Sequence, residues 1–203
     1  MARIIKETVR GLDVVNLEDE LLLNREIFLT DVVDAGSTNE LIKQLMYLEM
    51  EEEHGEEEIT LYINSPGGEV TSGLGLFDYL TMMKAPIRTV CIGTAASMGA
   101  ILFLAGDKRQ MLPHARIMIH DPSYGHANMD GKKPHEIQHE LDALNETREV
   151  IAKIISEKTG KSMEEVYEVT SDDTYFNASE AVEFGLATEI MDTETFRKRG
   201  KKI

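Results

Sequence analysis

A serine that closes a strand and opens a helix can present its hydroxyl as a nucleophile, and Ser97 has that setting in Gly93-Thr94-Ala95-Ala96-Ser97-Met98-Gly99. Its small neighbours Ala96, Gly99 and Ala100 permit tight backbone packing, and a helix N-terminus favours negative charge as it develops. The string is not G-x-S-x-G, because Ala95 replaces the first glycine. A plain helix cap is the competing reading, since serine is favoured there in any case. A hydroxyl also needs a base to remove its proton, and histidine suits that task near neutral pH. Of the six histidines, His120 alone ends an apolar strand, Arg116-Ile117-Met118-Ile119, shortly before a proline that stops it. His54 lies in an acidic run and His114 in a turn after Leu112-Pro113. His126, His135 and His139 have polar or helix-surface settings; the last two have i, i+4 spacing, but no zinc site is expected of them.

A third group is the turn Asn64-Ser65-Pro66-Gly67-Gly68. Glycines let a backbone N–H approach a reacting carbonyl and stabilise its oxyanion, with an ordinary tight turn as the alternative. A phosphate loop fits less well, because no Lys-Ser/Thr pair follows the glycines. The single Cys91 lies in the apolar string RTVCIG and reads as a small buried thiol.

These groups need elements that bring them to one edge. Strand patterns fall at 26–29, 59–63, 88–92 and 116–119, and helix patterns at 70–83 and from about residue 97. Ser37 with Glu40 forms the capping-box signature ahead of Leu41, Leu45 and Leu48. A longer helix is predicted from Pro134 to Thr159-Gly160, and Ser162/Glu165 and Asn177/Glu180 mark two shorter ones, the second closed by Gly185. Repeated strand–helix–strand order predicts an α/β fold with a largely parallel sheet, whose strand ends share one edge.

Composition bounds the function classes. With 21 basic and 37 acidic residues among 203, the formal charge of −16 argues against a nucleic-acid surface. Seven Glu crowd into residues 49–58, and five of the last seven residues are basic, which reads as a solvated turn and a loose tail. No apolar run is long enough to cross a bilayer, and the first twenty residues carry charges where a signal peptide needs an apolar block, so a cytoplasmic chain without membrane contact is expected.

Three strings, LYINSPGGEVTSG, GTAASMGA and ARIMIHDP, occur in the order and with the separations seen in the proteolytic subunits of Clp proteases, the ClpP family. The chain resembles that family from about residue 24 to residue 191, including the closing EAVEFGLATEI. The resemblance implies a crotonase-like spiral of β-β-α units with a protruding handle helix, in one peptidase domain over residues 1–203. Within it, 1–20 would be a flexible axial segment, 120–160 the handle region and 197–203 the basic tail. It also implies a Ser, His, Asp triad of Ser97, His120 and Asp173, with the N–H groups of Gly68 and Met98 as oxyanion hole. Asp173 is preferred to Asp172 because it has the family's spacing before Ala178-Ser179-Glu180-Ala181; Asp172 stands where many relatives carry an Arg that helps to join rings.

The implied function is that of a serine endopeptidase subunit of an ATP-dependent Clp protease, degrading unfolded polypeptides to short peptides in a chamber. Heptameric rings stacked in pairs would form that chamber, a tetradecamer fed by an ATPase unfoldase of the ClpX, ClpA or ClpC type. No cofactor is implied, since ATP would bind the partner. The chain departs from the family at Asp121-Pro122-Ser123-Tyr124 and the polar stretch that follows, where relatives have Gln-Pro and a glycine turn. Two other readings remain. One is a structural or regulatory ring subunit that needs a partner subunit for activity. The other is a crotonase-fold acyl-CoA enzyme, which would use a backbone oxyanion hole without a Ser-His pair.

Overall fold

A computed structural model describes residues 3–8, 11–50, 57–123 and 131–194. β1 (Arg3–Thr8) and β2 (Gly11–Asn16) pair antiparallel and lead into α1 (Leu17–Leu23). Next come β3 (Glu26–Leu29), α2 (Ala35–Glu49), β4 (Ile59–Ser65), α3 (Val70–Met82), β5 (Ile87–Ala96) and α4 (Met98–Leu104). The remainder is β6 (Lys108–Met111), β7 (Arg116–Ile119), α5 (Pro134–Thr159), α6 (Met163–Thr170), β8 (Thr174–Asn177), α7 (Ala178–Phe184) and β9 (Glu189–Ile190).

Parallel strands run β3-β4-β5-β6-β9, as alternating strand–helix order requires. The ten-residue β5 then forks. Arg88 to Cys91 pair with β6, whereas Thr94 to Ala96 pair with β7, and β7 carries β8 antiparallel on its far side. At the fork the β4–β5 register shifts between Ile63 and Ser65, and Asn64 Oδ1 accepts the Thr94 N–H at 3.0 Å. The fork turns the end of β5 away from β6 and towards β7, so Ser97 and His120 leave the sheet side by side.

The core fills the space between this sheet and its helices. All seven residues of α4 are buried, and α2 contributes Leu41, Leu45 and Leu48 as its 3.6-residue period predicts. Each large side chain so buried stabilises the fold by about 1.5–3 kcal/mol.

One cap differs from the sequence reading. The box that opens α2 is Asp34 with Ser37, not Ser37 with Glu40: Asp34 Oδ1 accepts the Ser37 N–H at 2.8 Å and Ser37 Oγ accepts the Asp34 N–H at 3.0 Å. A carboxylate three residues upstream captured the serine as its N3 partner, so the helix starts earlier and Glu40 faces solvent beside Lys43. The boxes at Ser162/Glu165 and Asn177/Glu180 are present, and Gly160 and Gly185 end α5 and α7 with φ of 75° and 95°. The acidic run at 51–56, the stretch 124–130 with His126, and the basic tail lie outside the described residues.

Candidate active site

Ser97 stands between β5 and α4 with φ 53° and ψ −123°, a conformation that L residues with a side chain rarely adopt. Three neighbours hold it there. Its N–H donates to Met118 O at 2.9 Å, which extends the β5–β7 ladder by one bond. Beneath it lies Gly67, at φ 90°, where a Cβ would sit 2.5 Å from Ala96 O and 2.7 Å from Ser97 Cβ. Ser65 Oγ donates to Asp31 O at 2.6 Å and accepts the Gly67 N–H at 3.2 Å, fixing that turn from below. Strain at one residue survives because its surroundings determine it from several sides.

Although Ser97 occupies the N-cap position, its hydroxyl makes no capping bond. Oγ lies instead 2.8 Å from His120 Nε2. The plain-cap reading therefore fails on geometry.

His120 follows the last residue of β7, where Ile119 pairs with Thr174 of β8. The ladder ends at that pair: His120 directly follows it and Asp173 directly precedes it, and one residue further on the Asp121 N–H donates to Thr170 O at 2.6 Å. His120 Nδ1 and Asp173 Oδ1 are 3.3 Å apart, longer than a well-formed N–H···O bond. The side chain of His120 is 25% exposed and that of Asp173 63%. With the ring proton on Nδ1 towards Asp173, Nε2 is the acceptor for the Ser97 hydroxyl.

Gly68 has φ 152° and forms a parallel bridge with Val33 through its neighbours: Val33 N–H donates to Gly67 O at 2.9 Å and Glu69 N–H to Val33 O at 2.7 Å. The Gly68 N–H is thereby left on the opposite side. Gly68, Ser97, Met98 and His120 all line one cleft of about 510 Å³. The Met98 amide is the first of α4, and helix N-termini leave such groups without an intrahelical acceptor.

Comparison with known protein families matches residues 9–194 to the Clp protease family. This chain belongs to the Clp protease family. It is accordingly a peptidase of the Clp type, with a mixed α/β fold. No helix among the described residues is long and apolar enough to cross a membrane.

For a Clp-type peptidase the rest of the cleft is informative. Its walls include Val70, Met98 and Ile101 from the core side, and Ile151 and Ile155 from α5. Neither of these last two was singled out from the sequence, which gave only a long helix from Pro134 to Thr159-Gly160. Gly67 and Ser65 were likewise visible only as members of a turn.

The other candidates fall away from this edge. Cys91 is buried, burial pushes its thiol up to about 12, and its Sγ lies 3.6 Å from Arg116 O. His135 and His139 belong to a string of the H-E-x-x-H form, His135-Glu136-Ile137-Gln138-His139, yet His135, Glu136 and His139 are all exposed. Glu136 is engaged in the α5 cap, accepting the Lys133 N–H at 2.6 Å, and no group of three or more metal-ligating side chains occurs among the described residues.

Proposed function

We propose that this chain is a serine endopeptidase subunit of an ATP-dependent Clp protease, with Ser97 as nucleophile, His120 as general base and Asp173 as the group that orients the base. The observation that carries the reading is the 2.8 Å approach of Ser97 Oγ to His120 Nε2 from a strained backbone position that makes no cap bond. Ser97 Oγ attacks the scissile carbonyl carbon as Nε2 takes its proton, and the N–H groups of Gly68 and Met98 receive the oxyanion. Collapse breaks the C–N bond, and the leaving amine takes the proton from Nε2. Water, deprotonated in turn by Nε2, then attacks the acyl-enzyme and releases Ser97.

The wider reading places a single crotonase-like peptidase domain, a spiral of β-β-α units, in heptameric rings stacked in pairs, in the cytoplasm. An ATPase unfoldase would feed unfolded polypeptide into the enclosed chamber. It is supported by the 26-residue α5, whose buried residues Ile151, Ala152 and Ile155 all lie in its second half. The first half, with Ile137 and Leu141 exposed at 36% and 47%, suits a handle that meets another ring.

One observation favours a second reading. Asp173 is exposed and does not close a full hydrogen bond on His120, as expected of a regulatory subunit whose triad tightens only against a partner subunit. Two measurements on the full chain test these readings. Ser97→Ala should abolish cleavage of fluorogenic peptides while native mass spectrometry shows unchanged assembly; retained cleavage would overturn the nucleophile. Activity of the pure homo-oligomer would reject the regulatory reading.

A further inference from the structure

Asp121, the residue after His120, faces away from the cleft and is tied three times. Its N–H donates to Thr170 O at 2.6 Å, its Oδ1 accepts the Thr170 Oγ1–H at 2.7 Å, and its Oδ2 forms an ion pair with Arg148 Nε at 2.7 Å without the alignment of a hydrogen bond. Arg148, on α5, lays its guanidinium 4.4 Å from the centroid of the Tyr167 ring on α6. Thr170 is 2% exposed, and the Asp121 and Arg148 side chains are 29% and 35% exposed.

The position of this cluster in the chain gives it significance. The β7–β8 ladder ends at Ile119 and Thr174, so His120 and Asp173 lie just past its last pair, where strands ordinarily fray. The Asp121–Thr170 bonds join the same two chain segments again on the far side. His120 is thereby enclosed between two anchors, and so is the turn 171–173 that presents Asp173. Thr174 Oγ1 tightens that turn by donating to Val169 O at 2.7 Å. Asp173 is itself exposed, so its own burial does not set its distance from the imidazole.

We infer that Asp121, Thr170 and Arg148 form a positioning clamp that sets the geometry of His120 towards Ser97 and Asp173; the inference rests on the Ser97–His120 reading above. None of the three lines the cleft, so the clamp acts on the proton-transfer geometry and not on substrate binding. A tie that only held α5 to α6 would affect melting and leave catalysis alone.

Thr170→Val on the full chain removes the hydroxyl at nearly constant shape and leaves the Thr170 carbonyl in place. Expected are a fall of about tenfold in kcat and in the rate of fluorophosphonate labelling of Ser97, a KM within about twofold of wild type, and recovery of both rates in Thr170→Ser. Unchanged kcat and labelling rate, even with a lowered melting temperature, overturn the clamp. Should Thr170→Val not fold, Arg148→Gln is judged by the same two rates, with a fall of about threefold expected and no change again overturning it. Absence of labelling in wild type, or labelling undiminished in Ser97→Ala, removes the Ser97 reading itself and the clamp with it.

Discussion

Gly67 and Ser97 are packed so closely that a methyl group on the first would penetrate the second, its Cβ falling 2.7 Å from Ser97 Cβ and 2.5 Å from Ala96 O. The obstructing atoms belong to backbone and to a Cβ, so no rotamer change relieves the clash, and the φ of 90° adds strain of its own. Gly67→Ala should destabilise the protein by about 1–3 kcal/mol in urea melts and cut peptide hydrolysis by about a hundredfold. Gly75→Ala is the control: it lies within α3 with nothing within 4 Å of its Cβ, and should be neutral or stabilise by about 0.5–1 kcal/mol. Equal behaviour of the two would show that the Ser97 turn does not depend on the close approach.

Asp173 directly precedes the last pair of the β7–β8 ladder and its Oδ1 lies 3.3 Å from His120 Nδ1, whereas Asp172 is one residue farther from that pair. Asp173→Asn should therefore lower kcat/KM for a fluorogenic peptide by about ten- to a hundredfold, because the imidazole loses the partner that selects its tautomer. The loss should be smaller than at a buried triad acid, since the 3.3 Å contact is open to water. Asp172→Asn should stay within about twofold. The opposite ranking would transfer the role to Asp172.

Cys91 offers a prediction on the alkaline side. Its thiol is raised from 9.0 to about 12 by burial, so the native state keeps a proton that the unfolded chain gives up earlier. That contribution to stability is complete below pH 9.0 and is lost as pH rises towards 12. Iodoacetamide at neutral pH should leave native Cys91 intact and alkylate it only after denaturation, as read by intact mass. In Cys91→Ala the part of the alkaline stability loss due to this thiol should disappear from denaturant melts. Rapid alkylation of the native chain would show that the RTVCIG strand opens far more readily than its burial indicates.

The contact between Ser97 and His120 was legible because both residues end apolar strands: RTVCIG runs towards Ser97 and RIMI directly into His120. The caps at Ser162 and Asn177 and the closing glycines at 160 and 185 are local, and local chemistry can be read without the fold. Long-range pairing cannot. β8 is four residues long with only Phe176 buried, and it exists because β7 pairs with it, so the facing of His120 and Asp173 came from family resemblance alone. The fork in β5 was equally hidden, since two strand partners on one ten-residue run leave no mark on its apolar pattern. The hairpin of β1 and β2 exposes Ile5, Leu12 and Val14, so no buried face imposes an alternation there. Asp121 stood out only as a departure from Gln-Pro, and its clamp required Thr170 and Arg148 to be seen in place.

The cleft predicts which side chain is accepted next to the scissile bond. Beside Ser97 its wall is formed by Val70, Met98, Ile101, Ile151 and Ile155, and an apolar side chain of Leu or Met size gains roughly 25 cal/mol for each Å² it removes from water there. Fluorogenic peptides carrying Leu or Met at that position should be cleaved at least about tenfold faster, in kcat/KM, than those carrying Asp or Glu, because a carboxylate would lose hydration without a partner. Val70 is the place to change this preference: it is the first residue of α3 and only partly buried, and an acidic residue in a first helical turn is electrostatically favoured. Val70→Asp should thus keep the fold, lower kcat/KM for the Leu peptide by about tenfold, and leave that for a peptide carrying Lys at the same position equal or improved. A parallel loss on both peptides with Ser97 labelling unchanged would place substrate side chains on some other wall, outside the Val70–Ile155 surface.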